Sequence, residues 1–417
     1  MSTSKAPEPD PTRETLVALL RDEGPRVLAT LVRTTGSLAV AQDAVQDAVV
    51  RALEVWPRTQ IPDEPRAWLT VTARRRAIDH LRREAVRGGK ELAAMAAVEP
   101  NDEAVPEHVV HDDLLRLLFT CCHPALSLET QVALALRTLC GLTVAETGRA
   151  LLVPEATMAK RLTRARQKIT VAGIPYRVPG AAELPDRIRG VAATVYLLFN
   201  ESYSPADGDA PERRALAQQA LRLARLLRDL LPDEASIMGL LALVLLTEAR
   251  RPARIDDNRF VLLPEQDRSS WDAALIREGV LLVGVALQRT PDEPDPYVTQ
   301  AAIAACHCLA ASAAETDWRA ITSWYDVLVR IADTPVVRLN RAVALAERDG
   351  ASAGLAEVDA IDGLGGYALW HAARAELLVR DGRADEAAVA YRAALGLPAN
   401  AAQREHLRSR LTECLTR

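Results

Sequence analysis

The segment 127–169 constrains the fold more than any other part of the chain, because its helix ends and turns are encoded locally. Gly141 is suited to end one helix, since glycine readily adopts the left-handed conformation that closes a helix. Thr143 and Glu146 then form a Thr-x-x-Glu capping box, which stabilises a helix start by about 1 kcal/mol. After a tight turn, Pro154 is suited to open another helix. The segment therefore predicts three helices, the last two joined by a short turn.

The third of these helices has an apolar face and a cationic face on opposite sides. Its apolar residues recur at helical spacing and predict a buried face made of Met158, Leu162, Ala165 and Ile169. Two short helices with such a turn, the second one basic and amphipathic, predict a helix-turn-helix that binds DNA. An ordinary solvated helix would explain the charge, but not the capping box, the turn and the apolar register together. The predicted DNA contacts are Glu155, Thr157, Lys160, Arg161, Arg164 and Lys168.

Another helical block lies upstream, at residues 41–57. Pro57 is predicted to end this helix. The residues predicted to form its buried face are Val45, Val49, Ala52, Leu53 and Trp56. The opposite face carries Asp43, Gln46, Asp47 and Glu54. From the residues alone, this polar face is an ordinary solvated surface.

A proline-containing loop separates this block from the next predicted helix, which begins near Pro65. The predicted buried stripe consists of Ala67, Val71, Ile78 and Leu81. Another face carries more arginine than pairing within the helix requires. Such a face suits a phosphate backbone, and the predicted contacts are Arg75, Arg76 and Arg83. Trp68 fits either a stacking platform for a base or the core, and its place near the start of a packed helix favours the core.

The composition predicts an all-α protein of more than one domain. Aromatic residues make up only 4% of the 417 residues, hydrophobic residues 49% and charged residues 26%. No apolar run approaches a membrane span, and the N-terminus lacks the apolar core of a secretory signal. Six cysteines in so long a chain do not make a disulfide framework, which predicts a cytoplasmic location.

No catalytic or metal site is predicted. Neighbouring cysteines at Cys121–Cys122 and at Cys306–Cys308 invite a zinc interpretation, but no second pair completes a tetrahedral site, so small buried side chains are the favoured interpretation. Phosphate-binding glycine loops and nucleophile elbows are absent from the sequence. The polar residues Asn200, Glu201 and Tyr203 fit a pocket or a loop that ends a helix, and the loop is favoured. No cofactor is therefore expected.

The two helical blocks together resemble the extracytoplasmic-function sigma factors of bacterial RNA polymerase over roughly residues 13–172. The resemblance implies a sigma-2-like domain at 13–86 and a sigma-4-like domain at 111–172, joined by an acidic linker at 87–110. It implies that the face with Asp43 and Asp47 docks on the clamp helices of core polymerase. The arginine face would then engage the −10 element, and the helix from Glu155 would read the −35 element. Ala159 departs from the longer polar residue common in the family.

The remaining chain resembles the C-terminal extension of one subgroup of these sigma factors. That resemblance implies a helical part of uncharacterised type at 173–283 and tetratricopeptide-like helices at 284–417. At the other end of the chain, residues 1–12 are predicted to be a short disordered lead-in. A tetratricopeptide pattern is also visible in Ala375, Leu378, Gly382, Ala387, Tyr391 and Ala394, and Gly350 lies 32 residues before Gly382. Stacked helix pairs form grooves, so a peptide or protein partner is predicted for this part.

The predicted function is that of an alternative sigma factor that binds core RNA polymerase and promoter DNA, without a membrane, under the control of its own extension. The extension is expected to be required rather than inhibitory. One alternative is a helix-turn-helix regulator with a tetratricopeptide sensor that does not join polymerase. A second alternative is an enzyme tethered to a DNA-binding unit.

Overall fold

A computed structural model of the protein is helical apart from turns, loops and one minimal strand pair, which confirms the all-α prediction. The structure describes residues 15–16, 18–20, 23–88, 107–151, 153–180, 182–203, 211–256, 259–397 and 401–416. The predicted lead-in at 1–12 and most of the predicted linker at 87–110 lie outside these ranges. Within them, no helix is both long enough and apolar enough to cross a membrane.

The chain divides into two compact units, residues 1–198 and residues 199–417. The helices of the first unit are α1 (Gly24–Thr35), α2 (Leu38–Thr59), α3 (Pro65–Gly88), α4 (Glu107–Cys121), α5 (Leu128–Leu139), α6 (Val144–Ala150), α7 (Glu155–Val171) and most of α8 (Leu184–Tyr203). The second unit begins inside α8.

Small side chains form the buried face of α2. The residues that are 2% exposed or less are Ala41, Ala44, Ala48, Ala52 and Trp56. The prediction of a face that includes Val45, Val49 and Leu53 was wrong in part, since Leu53 is 43% exposed and the two valines are only partly buried. Alanine lets two helices approach closely, so the contact line between α2 and α3 follows the small residues instead of the bulky ones.

The same shift occurs along α3. Its buried residues are Leu69, Ala73 and Ala77, while the predicted core residue Ala67 is exposed. The other predicted core residues, Val71, Ile78 and Leu81, are partly buried. Pro57 does not end α2, which continues to Thr59: the φ that proline fixes is helical, one backbone hydrogen bond is lost, and the Gln60 N–H still donates to the Trp56 carbonyl oxygen at 3.1 Å.

A buried carboxylate joins α1 to α4. Asp113 is fully buried and accepts hydrogen bonds from Arg33 Nε of α1 at 2.8 Å and from Arg116 Nη1 at 3.1 Å. The hydroxyl of Tyr176, in the segment after α7, lies 2.9 Å from the carbonyl oxygen of Ala29 and 2.6 Å from that of Asp113. These contacts hold α1–α3 against α4–α7.

The first unit extends beyond the helix-turn-helix because α8 packs against α4. Arg187 is 2% exposed and donates a hydrogen bond to the carbonyl oxygen of Phe119 at 3.0 Å. Thr194 Oγ1 lies 3.8 Å from the sulfur of Cys122. The first half of α8 therefore shares a core with α4.

The second unit continues with a series of helices in chain order. These are α9 (Pro211–Leu230), α10 (Ala235–Glu248), α11 (Ala273–Arg289), α12 (Pro296–Leu309), α13 (Trp318–Ile331), α14 (Pro335–Asp349), α15 (Ala351–Asp359), α16 (Ala368–Arg380), α17 (Ala384–Leu395) and α18 (Ala401–Leu415). Two short strands, β1 (Ile255–Asp256) and β2 (Arg259–Phe260), pair antiparallel between α10 and α11.

Almost every residue of α10 is buried, and this helix contacts both α11 and α12. Gly239 permits the contact with α12, because a Cβ at that position would lie 2.5 Å from the backbone nitrogen of Val298. Two helix pairs lie further along the chain, where the repeat pattern predicts them. In these pairs α14 packs against α15, and α16 packs against α17. Gly350 and Gly382 end the first helix of each pair with φ of +99° and +80°.

Ion pairs link successive helices of this series. Arg341 of α14 contacts Asp326 of α13 at 2.7 Å and Glu357 of α15 at 3.0 Å. Further pairs join Asp359 to Arg374, Glu347 to Arg380, and Glu376 to Arg410. These pairs join α13 to α14, α14 to α15 and α15 to α16, and they also join α14 to α16 and α16 to α18, as in a solenoid of stacked pairs.

Candidate nucleic-acid interface

The helix-turn-helix is built from two local devices that fix α6 against α7. The capping box is present, since the Thr143 N–H donates to Glu146 Oε2 at 2.7 Å and the Glu146 N–H donates to Thr143 Oγ1 at 3.1 Å. The turn is closed by the Val153 N–H, which donates to the Gly148 carbonyl oxygen at 2.8 Å. A Cβ on Gly148 would lie 2.7 Å from the Val153 carbonyl oxygen, so this turn requires glycine.

The apolar register predicted for α7 is confirmed. Met158, Leu162, Ala165 and Ile169 are all 6% exposed or less. They anchor the helix on the core of α5 and α6, and the opposite face of α7 is left outward. The residues on that outward face that are exposed are Glu155, Thr157, Lys160, Arg164 and Lys168.

Arg161 differs from the other predicted DNA contacts on α7, because its guanidinium already has a partner. Its side chain is 26% exposed and lies 3.2 Å from the carboxylate of Glu129, which is itself 76% exposed. An ion pair so open to solvent contributes less than about 1 kcal/mol. Exchanging Glu129 for a DNA phosphate would therefore cost little.

The arginines predicted for the second contact lie on α3. Arg75, Arg76 and Arg83 are exposed, and Arg83 Nε donates to the carbonyl oxygen of Asp79 at 3.1 Å. Trp68 lies edge-on against the buried ring of Trp56, with 5.4 Å between ring centroids. That contact agrees with the core role favoured for Trp68. The arginines, in contrast, lie on the exposed surface of α3.

The polar face predicted for α2 is turned outward. Its members Asp43, Gln46 and Glu54 are exposed, with Glu54 paired to Arg51 at 3.0 Å. Asp47 lies 3.1 Å from His80 Nε2 of α3. These residues follow one another at helical spacing along a single face.

Two apolar residues also lie on this face: Val50 was not singled out in the sequence, and Leu53 was predicted to be buried. Val50 is 55% exposed and Leu53 is 43% exposed. Both continue the helical spacing set by Asp43, Gln46 and Asp47. That spacing was the sequence signal that could have placed them on the exposed face. The exposed polar face of α2 therefore also presents two apolar side chains.

The remaining candidates give no sign of catalytic chemistry. Cys121 and Cys122 are fully buried, and burial raises the pKa of the Cys122 thiol to about 12. Over the described ranges, no group of three or more histidine, cysteine, aspartate or glutamate side chains is placed to hold a metal ion. Asn200 is exposed at the end of α8, and the side chains of Glu201 and Tyr203 lie outside the part that the structure describes.

Comparison with known families identifies two regions in the first unit. Residues 19–87 match Sigma-70 region 2, and residues 116–169 match Sigma-70, region 4. The chain therefore carries two regions of the sigma-70 family, which indicates a sigma-70 family sigma factor. The two regions give it a role in promoter recognition and imply binding to core RNA polymerase and to promoter DNA.

Two further matches are to proteins without an assigned role. Residues 187–287 match a family of unknown function, DUF6596. Uncharacterized protein R00370 of Rhizobium meliloti (strain 1021) is 40% identical over 396 residues, which is 93% of this chain and 93% of that protein. No solved structure matches the chain.

Thr143→Ala should destabilise the helix-turn-helix by about 1 kcal/mol, because it removes the acceptor for the Glu146 N–H. Thr143→Ser keeps that acceptor and should stay within about 0.5 kcal/mol of the native chain. Urea unfolding followed by circular dichroism measures both variants. Equal stability of the alanine and serine variants would contradict a structural role for the capping box.

Proposed function

We propose that the protein is an extracytoplasmic-function sigma factor that acts in the cytoplasm and directs core RNA polymerase to promoters with −35 and −10 elements. The observation that carries this proposal is the outward cationic face of α7, presented by a fully formed helix-turn-helix in the same unit as the arginine face of α3. Polymerase supplies the chemistry in this proposal, so the chain needs no catalytic residue and no cofactor.

We infer three binding surfaces. The outward residues of α7 read the −35 element in the major groove, where each good base contact discriminates by roughly 1–3 kcal/mol. Arg75, Arg76 and Arg83 hold the backbone of the −10 element, and cations suit a strand that is being separated. The face of α2 that runs from Asp43 to Glu54, with Val50 and Leu53, docks on core polymerase.

The compactness of the first unit supports a change of conformation at the promoter. A compact unit of 198 residues has a radius of gyration of about 16 Å and is about 40 Å across. The two promoter elements are named for positions about 25 base pairs apart, which is about 85 Å of duplex. One closed unit cannot reach both elements, so region 2 and region 4 separate when the protein engages the promoter.

Charge reversal on α2 tests the polymerase surface. The double variant Asp43→Arg, Asp47→Arg should bind core polymerase at least tenfold more weakly and give no run-off transcript, because like charges meet at the interface. The matched control is Asp362→Arg, Asp385→Arg, which makes the same change of charge at exposed positions of the second unit. Equal loss in both double variants, or loss in neither, would overturn this assignment.

Alanine substitution on α7 tests the −35 surface. The double variant Arg161→Ala, Arg164→Ala should weaken holoenzyme binding to a −35 duplex and reduce the salt dependence by roughly one log-log unit per lost phosphate contact. Binding is measured by fluorescence anisotropy across a salt series. Arg189→Ala, an exposed cation on α8, is the control and should leave the slope unchanged. An unaltered slope in the double variant would show that these arginines do not touch DNA.

We further propose that the second unit regulates the sigma regions in cis, and that it binds a peptide or protein partner. Support comes from its series of helix pairs fixed by ion pairs, since stacked pairs form grooves for other chains. The exposed apolar side chains of Leu281 and Val285, one helical turn apart on α11, are the nominated contacts, with exposed fractions of 71% and 41%. We also propose that the extension begins at residue 173, where the resemblance to sigma factors ends.

Removal of the extension tests this regulation. The truncated protein should end after residue 203, at the end of α8, because the first half of α8 packs against α4. The truncated protein should retain binding to core polymerase but give at least tenfold less run-off transcript than the full chain. Its thermal melt shows whether the first unit is folded. Equal transcription by the two forms would contradict a required extension, and higher transcription by the truncated form would make it inhibitory.

A further inference from the structure

A cleft of about 510 Å³ lies in the first unit between α1 and α2 on one side and the helix-turn-helix on the other. This volume is within the range of sites that hold small molecules. The polar residues that line it and enter the argument are Gln42, Asp43, Gln46, Arg137 and Arg166. An apolar wall beside them is formed by Leu28, Val45 and Val144.

Three side-chain atoms of the five polar residues named above are buried without a hydrogen-bond partner among the residues that the structure describes. They are Gln42 Oε1, Arg137 Nε and Arg166 Nε. Leaving one such group unsatisfied costs about 1–3 kcal/mol, and folded proteins satisfy nearly all of them. Each of these atoms has almost no exposed surface, so an occupant of the cleft reaches them only when their side chains rotate, and it must then supply both donors and acceptors.

The charge of the cleft selects an anion. Burial lowers the pKa of Arg137, and the positive charge of Arg166 lowers it further. Burial also lowers the pKa of Arg166, and Asp43 opposes that shift only in part. Glu146, the acid that faces Arg137, is already held in the capping box. Two half-buried guanidinium groups that repel each other would both gain from one anionic group between them.

We propose that this cleft binds a small organic anion, a carboxylate or phosphate carried on an apolar body, with its anionic group between Arg137 and Arg166. The apolar body packs on Leu28, Val45 and Val144. The ligand touches region 2 and region 4 at once and holds the first unit closed. Asp43 and Gln46 line the cleft and also belong to the proposed polymerase surface, so the ligand competes with core polymerase. This last step rests on the proposed function, whereas binding to the cleft does not.

Calorimetric titration of the full-length protein tests the cleft with three probes of similar size. Phenyl phosphate and benzoate should bind at one site per chain, and the neutral benzyl alcohol should give no saturable binding. Arg166→Gln should weaken the binding of both anions at least tenfold, because it removes the guanidinium and its charge while keeping a polar side chain with the same stem as far as Cδ. Arg189→Gln removes an exposed cation away from the cleft and should change nothing.

Several results would overturn the proposal. They are the absence of saturable binding, equal binding of the neutral probe, and undiminished binding of the anions to Arg166→Gln. The comparison of charged and neutral probes uses the native chain, so it decides the matter even if the variant fails to fold. Phenyl phosphate should also displace the native protein from core polymerase. Anion binding without any run-off transcription would refute the sigma role and leave the cleft intact.

Discussion

The closed form of the first unit depends on one buried carboxylate. Asp113 is fully buried, and burial raises its pKa although Arg33 and Arg116 both favour its charged form. A buried charge of this kind is tolerated only while its partners stay in place. Arg33 belongs to region 2, and its guanidinium remains 38% exposed. The contact can therefore hold the two regions together and still exchange with solvent when they separate.

That balance explains how one chain can serve two contacts on DNA. Region 2 and region 4 each keep a cationic helix face outward while their other surfaces meet at Asp113 and Tyr176. The proposed polymerase surface on α2 borders the same cleft, which links polymerase binding to opening. The second unit has its own core and its own chain of ion pairs.

The sequence predicted the features that depend on neighbouring residues. The capping box at Thr143, the tight turn before Pro154 and the buried register of α7 are set within a few positions, and the structure contains all three. The buried face of α2 was predicted poorly, because tertiary packing selected alanines over larger residues such as Leu53. The contact between Arg33 and Asp113 spans 80 positions, and no local pattern marks it.

The separation of region 2 from region 4 is the most direct measure of the central claim. Fluorophores at Thr59 and Thr170, both exposed, place one label at the end of α2 and the other near the end of α7. We expect efficient energy transfer in the free full-length protein and a large loss of transfer when core polymerase and promoter DNA are added together. Unchanged transfer in a complex that contains both would contradict a sigma factor that opens to grip two elements of one promoter.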